Sequence, residues 1–358
     1  LWVADMDFAT APFVTDAIRK RCENEVLGYT GKPDSYYNAI INWVKQRYDL
    51  IVTKEVINFV PGIVPGIGMA MNCFTQKGDK VMIQPPVYHP FAWVTTRNER
   101  TLVINPLKWE NGMYRMDLDA FREQIKGCKL FILCNPHNPG GVVWTEAELR
   151  AIADICYDEK VLVFSDEIHA DLTLPPHTHR PFATVSEKAR MNSVTFMSPS
   201  KAFNMPGLSA SHALIFNEDL RKRFRIYMDA GELDMGHVFA FLSVEAAYSH
   251  GTEWLDQCLA YIQGNIDFVD EFLKKHAPKI KAIRPEASYL VWLDCRELEL
   301  SQKDLNEFFV DKAHLALNDG EMFGKEGIGF MRLNVASPRC IIEKAMKQLA
   351  DAYQLYIK

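Results

Sequence analysis

Lys201 closes the run Ser198-Pro199-Ser200-Lys201 directly behind the apolar stretch Val194-Thr195-Phe196-Met197, where a strand end presents an amine to a ligand. Alone, such a lysine is an ordinary turn residue; desolvated, it becomes a nucleophile that forms a Schiff base with an aldehyde and later moves a proton. Three other stretches bear on that choice. Asn138 lies in Cys134-Asn135-Pro136-His137-Asn138-Pro139-Gly140-Gly141, where two Asn-Pro steps disfavour helix, can each hold a cis bond, and pin the amide as a rigid donor. A plain loop has the same composition. Asp166 ends Val161-Leu162-Val163-Phe164-Ser165, so its carboxylate is partly desolvated and needs a cation or several donors. It can cap the next helix or keep a pyridinium protonated. Arg332, between Met331 and Leu333, suits a structural ion pair as well as it suits bidentate capture of a carboxylate.

These side chains need strand ends to hold them, and the chain supplies a strand-then-helix rhythm. Strands are expected at 57–60, 80–83, 101–104, 130–133, 162–164, 194–196 and 212–215, and helices at 67–74, 88–97, 118–126 and 146–159. Short, β-branched, apolar strands alternating with helices imply a buried parallel sheet with its sites at the carboxyl ends of the strands. Pro61-Gly62-Ile63-Val64 turns from the first strand into a helix N-terminus, an anion-binding arrangement. Ahead of this lie helices expected at 12–26 and 35–48, the second with Tyr37, Ile40, Ile41 and Val44 on one face. After Phe239 the texture changes to helices at 240–249 and 254–276, then strand 289–293, helix 302–313, strand 329–334 and helix 340–353. That last unit has the size of a small second domain.

Composition narrows the function. Of 358 residues 48% are apolar and 24% charged, so the chain folds around a core, and a net charge of -6 argues against nucleic acid or an anionic membrane as partner. Eight scattered cysteines with no C-x-x-C pair predict reduced thiols in the cytoplasm and no metal site. No apolar run approaches the roughly 20 residues that span a bilayer, and no signal-peptide pattern opens the chain. The chain begins on Leu1-Trp2 without Met, so the numbering is expected to start inside a longer one.

In this order, Asn138, Asp166, Lys201 and Arg332 resemble the pyridoxal-phosphate enzymes of the aspartate-aminotransferase fold, over nearly the whole chain. Trp2-Val3-Ala4-Asp5-Met6-Asp7-Phe8, Gly28-Tyr29-Thr30, Cys134-Asn135-Pro136-His137-Asn138-Pro139, Ser165-Asp166-Glu167-Ile168-His169 and Phe330-Met331-Arg332-Leu333-Asn334 are similar to its carbon–sulfur β-lyase branch. That branch holds cystathionine β-lyase of the MalY/PatB type and cystalysin. The resemblance implies an α/β fold of type I: a large domain over 29–253 with a mostly parallel sheet, and a smaller α+β domain over 254–358 joined by residues 1–28.

It further implies pyridoxal 5'-phosphate as cofactor, with Lys201 carrying the Schiff base and shuttling the Cα proton, Asp166 on the pyridine nitrogen, Asn138 on the phenolic oxygen, His169 nearby and Tyr88 stacked on the ring. Phosphate contacts would come from Gly62, Ile63 and Val64, from Ser198 and Ser200, and from Tyr29 of a second subunit, making the active unit a homodimer. Arg332 would take the α-carboxylate of an amino-acid substrate, beside Ala4. The implied reaction is β-elimination from cystathionine or another S-substituted cysteine; transamination and a regulatory role are the alternatives. Two departures stand out: Ser209 occupies the position where aminotransferases of this fold usually carry a phosphate-gripping arginine, and His89 stands where some lyases have a second tyrosine.

Overall fold

The computed structural model describes residues 1–357. The short apolar runs become strands: β1 Ile57–Val60, β2 Lys80–Ile83, β3 Thr101–Ile104, β4 Lys108–Glu110, β5 Met113–Arg115, β6 Cys128–Cys134, β7 Leu162–Asp166, β8 Ser193–Met197, β9 Ser211–Leu214, β10 Lys281–Ile283, β11 Leu290–Asp294, β12 Asn318–Asp319 and β13 Phe330–Asn334. Seven form one sheet in the order β1-β9-β8-β7-β6-β2-β3. β2, β3, β6, β7 and β8 pair in parallel, whereas β9 runs antiparallel to both β8 and β1. β9 departs from the expected rhythm because the chain joining it to β8 contains only the short 3-10 turn Pro206–Leu208 and no crossover helix. Without a crossover the chain returns beside the strand it left, running the other way. Lys201 sits in this connection.

Both faces of the sheet are covered. Ile83, Ile132, Phe164 and Phe196 pack into one apolar cluster, and Met82, Phe131, Leu133 and Val163 into another, as alternation along a doubly buried strand requires.

Three early helices are α1 Pro12–Cys22, α2 Asp34–Tyr48 and α3 Ile63–Phe74. α1 stops short of the expected Val26; past its end the Arg21 guanidinium binds the carbonyls of Asn24 and Val26. α2 buries Tyr36, Ala39, Ile40, Trp43 and Val44, a face turned slightly from the expected one, because Trp43 stacks on Tyr248 and Tyr36 packs edge-on to Phe241. α3 lies so close to the sheet that a Cβ on Gly66 would fall 2.9 Å from Val60 and 3.2 Å from Phe196.

A second sheet, β10-β11-β13-β12, is antiparallel throughout. β4, β5, β10 and β12 were not expected from the sequence; two or three residues carry too little alternation to show. The helix expected over 302–313 is α-helical only at Gln302–Glu307 and continues as a wider π turn over Phe308–Lys312.

Residues 1–10 form a strap that binds two parts of the fold. Asn334 donates its side-chain amide to the carbonyls of Val3 (2.7 Å) and Asp5 (2.6 Å), and Asp7 N–H reaches Ala336 O. On the other side Asn204, three residues after Lys201, accepts from Met6 N–H and donates to the Met6 and Phe8 carbonyls. The strap is thereby bonded to the loop that carries the lysine. Among the described residues no helix is long and apolar enough to cross a membrane, and all eight cysteines are free.

Candidate active site

The carboxyl ends of β1, β2, β6, β7 and β8 converge on a cavity of about 220 Å³. Ala4, Gly62, Ile63, Val64, Tyr88, Asn138, Asp166, His169, Ser200 and Lys201 all line it. Residues far apart in the sequence are thus brought to one place, Ala4 by the strap and the others near strand ends, the position a parallel sheet dictates.

Asp166 ends β7 and is buried, accepting one backbone N–H from Ile168 at 3.1 Å. Burial pushes its carboxyl up to about 7. Lys201 donates its ammonium to the carbonyl of Ala4 on the strap. Burial, helped by the Arg332 charge, holds this amine below its ordinary range. Arg332, in the middle of β13 and only 4% exposed, lies behind the wall. Its guanidinium donates to Asn138 Oδ1 (3.0 Å), Asn318 Oδ1 (2.6 Å) and Trp2 O (3.3 Å), and stands 4.8 Å from the centre of the Phe323 ring. Its Nε–H is buried with no partner. Among the described residues none of Asp166, Lys201 and Arg332 enters an ion pair. Arg332 is therefore a buried cation matched only by neutral oxygens, an environment suited to an incoming carboxylate.

Asn138 is fixed from two sides. Its Oδ1 faces Arg332, which assigns Nδ2 as the donor on the cavity side, and its backbone N–H points to the Cys134 sulfur at 3.4 Å. Both Asn–Pro bonds of this loop are cis. His169, whose Nδ1 is buried without a partner, is held down to about 3 by burial and by the Lys201 and Arg332 charges, so the ring is neutral near pH 7. At the far end, Gly62 (φ 134°) turns the chain into α3, which has no side-chain cap and whose first N–H groups have no intrahelical acceptor. Gly62 takes a backbone conformation nearly closed to other residues.

Two residues expected to contact the phosphate, Ser198 and the Tyr29 of a second subunit, do not line the cavity of this chain. The Ser198 hydroxyl lies 2.7 Å from Ala210 O and 2.9 Å from Ser200 Oγ, so it braces the loop and leaves Ser200 as the serine that lines the cavity. Tyr29 is 98% exposed and is not at the cavity of its own chain. Cys134, Ile168, Ser209 and Ser211 also line the cavity. Ser211 sits on the reversed strand β9, and no sequence periodicity marks it. Asn318 and the Trp2 carbonyl hold Arg332 through tertiary contacts that carry no local signal.

A family model described as "Aminotransferase class I and II" matches residues 2–349. The chain belongs to this family. It is 38% identical over 354 residues to the protein named cystathionine beta-lyase PatB of Bacillus subtilis (strain 168), covering 98% of this chain and 92% of that one. Cystalysin of Treponema denticola, solved with pyridoxal 5'-phosphate, superposes with a TM-score of 0.97 at 34% identity, over 100% of this chain and 91% of the other. The PLP-bound C-S lyase of Staphylococcus hominis gives a TM-score of 0.92 at 34% identity, over 99% and 90%. The α/β type I fold expected from the sequence is the fold these proteins share, with a mostly parallel central sheet.

Proposed function

We propose that this protein holds pyridoxal 5'-phosphate in the cavity and catalyses β-elimination from cystathionine or a related S-substituted cysteine, releasing pyruvate, ammonia and a thiol. The observation that carries the reading is the pairing of opposite demands in one site. Asp166 is a buried carboxylate with no ion-pair partner, and Arg332, behind the wall and bonded to the lining Asn138, is a buried cation with no anion, with the Lys201 amine among the lining groups. A ligand with a basic ring nitrogen and a partner with a carboxylate satisfy both. Relatives named cystathionine beta-lyase and C-S lyase support the same chemistry.

When bound, the cofactor supplies the aldehyde that holds the amino group and the ring that takes up the Cα electrons. The chain does the rest. Lys201, kept deprotonatable by burial, carries the cofactor at rest and moves the Cα proton. Asp166 keeps the ring nitrogen protonated, Asn138 Nδ2 donates to the phenolic oxygen, and Tyr88 covers the ring, with His169 as a neutral neighbour. Gly62, Ile63 and Val64 offer backbone N–H groups to the phosphate, together with the Ser200 hydroxyl that Ser198 orients. Arg332 fixes the α-carboxylate beside Ala4. Tyr29 reaches the phosphate of a second copy, so the active form is a homodimer. We assign residues 29–253 to the large domain, 254–358 with 1–28 to the small one, and the protein to the cytoplasm.

Transamination uses the same residues, and the family includes it. Ser209 argues for elimination: it lines the cavity at the position where an arginine was expected to grip the phosphate in an aminotransferase. Purified holoprotein given cystathionine and no keto acid should form pyruvate and homocysteine; product formation that strictly requires a keto acid would overturn the lyase reading.

A further inference from the structure

Behind Asp166 lies a buried polar cluster to which the proposed chemistry assigns nothing. Asp166 is the last residue of β7 and Glu167 the first beyond it; the Glu167 carboxylate lies on the side of Ser165, whose hydroxyl it binds, and alternation along the strand puts Asp166 on the other. Asp166 enters the cavity. Glu167 points away and is completely buried: its Oε1 accepts from Ser165 Oγ and from Phe182 N–H, both at 2.8 Å, and its Oε2 lies 2.8 Å from His179 Nε2. The same segment that supplies His179 and Phe182 also receives the Asn135 side-chain amide, which donates to Arg180 O at 3.1 Å. Asn135 N–H in turn binds the carbonyl of Asp166 at 2.9 Å. Residues 179–182 therefore grip both neighbours of the site, Glu167 next to Asp166 and Asn135 three residues before Asn138.

A buried carboxylate with three donors is not the economical way to fill a core. Well-packed apolar side chains of the same volume commonly stabilise as much or more, so the retained charge points to a role beyond packing. We propose that Glu167 and His179 are positioning residues, which lock the end of β7 so that the Asp166 carboxylate meets the pyridine nitrogen of the cofactor and keeps its proton there. This rests on the reading of Asp166 given above. The charge of Glu167 adds to the hold on that proton, since it raises the proton affinity of Asp166 through space. The groups that face the pair are few. The Tyr48 ring stands edge-on to His179 at 5.5 Å, and the Tyr48 hydroxyl and Trp43 Nε1 both donate to buried Asp171. The cation that acts on Asp166 through space is Lys201.

The test uses Glu167→Gln, His179→Ala, His179→Gln and Asp166→Asn, each assayed by titrating cofactor into apoprotein through tryptophan fluorescence and by the pH midpoint of the bound cofactor's visible absorbance. Glu167→Gln should weaken cofactor binding on the order of tenfold and move the midpoint down by roughly 0.5 pH unit, because a negative charge that favours the proton is gone. His179→Ala should weaken binding similarly, and His179→Gln, which keeps a donor in reach, should restore it. A role in packing alone would lower the melting temperature without moving the midpoint. If Glu167→Gln fails to fold, the His179→Ala and His179→Gln pair decides by the same readouts. The proposal is overturned if Asp166→Asn changes affinity and midpoint while the folded Glu167 and His179 variants change neither. If Asp166→Asn itself changes neither, the underlying assignment of Asp166 fails and takes the proposal with it.

Discussion

Arg332 Nη1 donates to Asn138 Oδ1 across 3.0 Å, joining the buried cation of β13 to the amide that lines the cavity. The bond fixes which way the amide points, so the group that receives a carboxylate and the group that donates to the cofactor are mechanically one unit. Replacing Arg332 with Lys should lower kcat/KM on the order of a hundredfold, since a point charge cannot reproduce the fork. Asn138→Ala and Arg332→Lys should then combine with less loss than the sum of the singles, by about 0.5–3 kcal/mol in a double-mutant cycle. Strict additivity in kcat/KM would show that the two act separately.

Asp166 makes the apoprotein's stability depend on pH in a definite direction. Burial raises its carboxyl from 3.8 to about 7, so between these values the folded chain keeps a proton that the unfolded chain has released. Folded-state stability from this group is therefore lost as pH rises through that window. Asp166→Asn removes the effect. The melting temperature of wild-type apoprotein should fall relative to the variant from about pH 4 to pH 7. Neutral His169, held down to about 3, acts in the opposite sense, but both proteins share it and the difference cancels it.

Gly62 and Gly66 should fail differently when given a methyl group. Gly62→Ala forces a non-glycine residue to φ 134° with its Cβ 3.3 Å from Pro65, at the turn where the phosphate is proposed to sit. A strain of about 1–3 kcal/mol should appear in both melting temperature and cofactor affinity. Gly66→Ala drives a Cβ to 2.9 Å from Val60, well inside the core. Its cost should appear mainly in melting temperature, and equal losses of cofactor affinity in both variants would contradict this division.

Ser200→Ala should weaken cofactor binding roughly tenfold through loss of a donor to an anion. Ser198→Ala should act through the loop, where its hydroxyl bridges Ala210 O and Ser200 Oγ. Cofactor titration of the two apoproteins distinguishes them: a larger loss for Ser198→Ala would put that hydroxyl, against its observed bonds, on the phosphate.

Lys201, Asp166 and Asn138 were legible as site candidates because Asp166 ends a short apolar strand and the other two lie in the loops just beyond such strands, and a doubly buried parallel sheet offers its strand ends to ligands. Arg332 was legible as a cation in an apolar strand, but its isolation from any anion was not. That isolation depends on Asn318, on Trp2 O and on a strap whose anchors, Asn204 and Asn334, are hundreds of residues from the segment they bind. The reversal of β9 was hidden for a different reason: its residues read like those of its parallel neighbours, and only the lack of a helix before it sets the direction. Ser198 shows the limit of motif reading, since two serines spaced by one residue look alike until the turn decides which of them faces the cavity.

Lys201 is the amine we assign to hold the cofactor. Holoprotein reduced with borohydride and digested should yield one pyridoxyl-phosphate-labelled peptide, containing Lys201, and Lys201→Ala should yield none. A label on another lysine, or the same label in Lys201→Ala, would contradict the account.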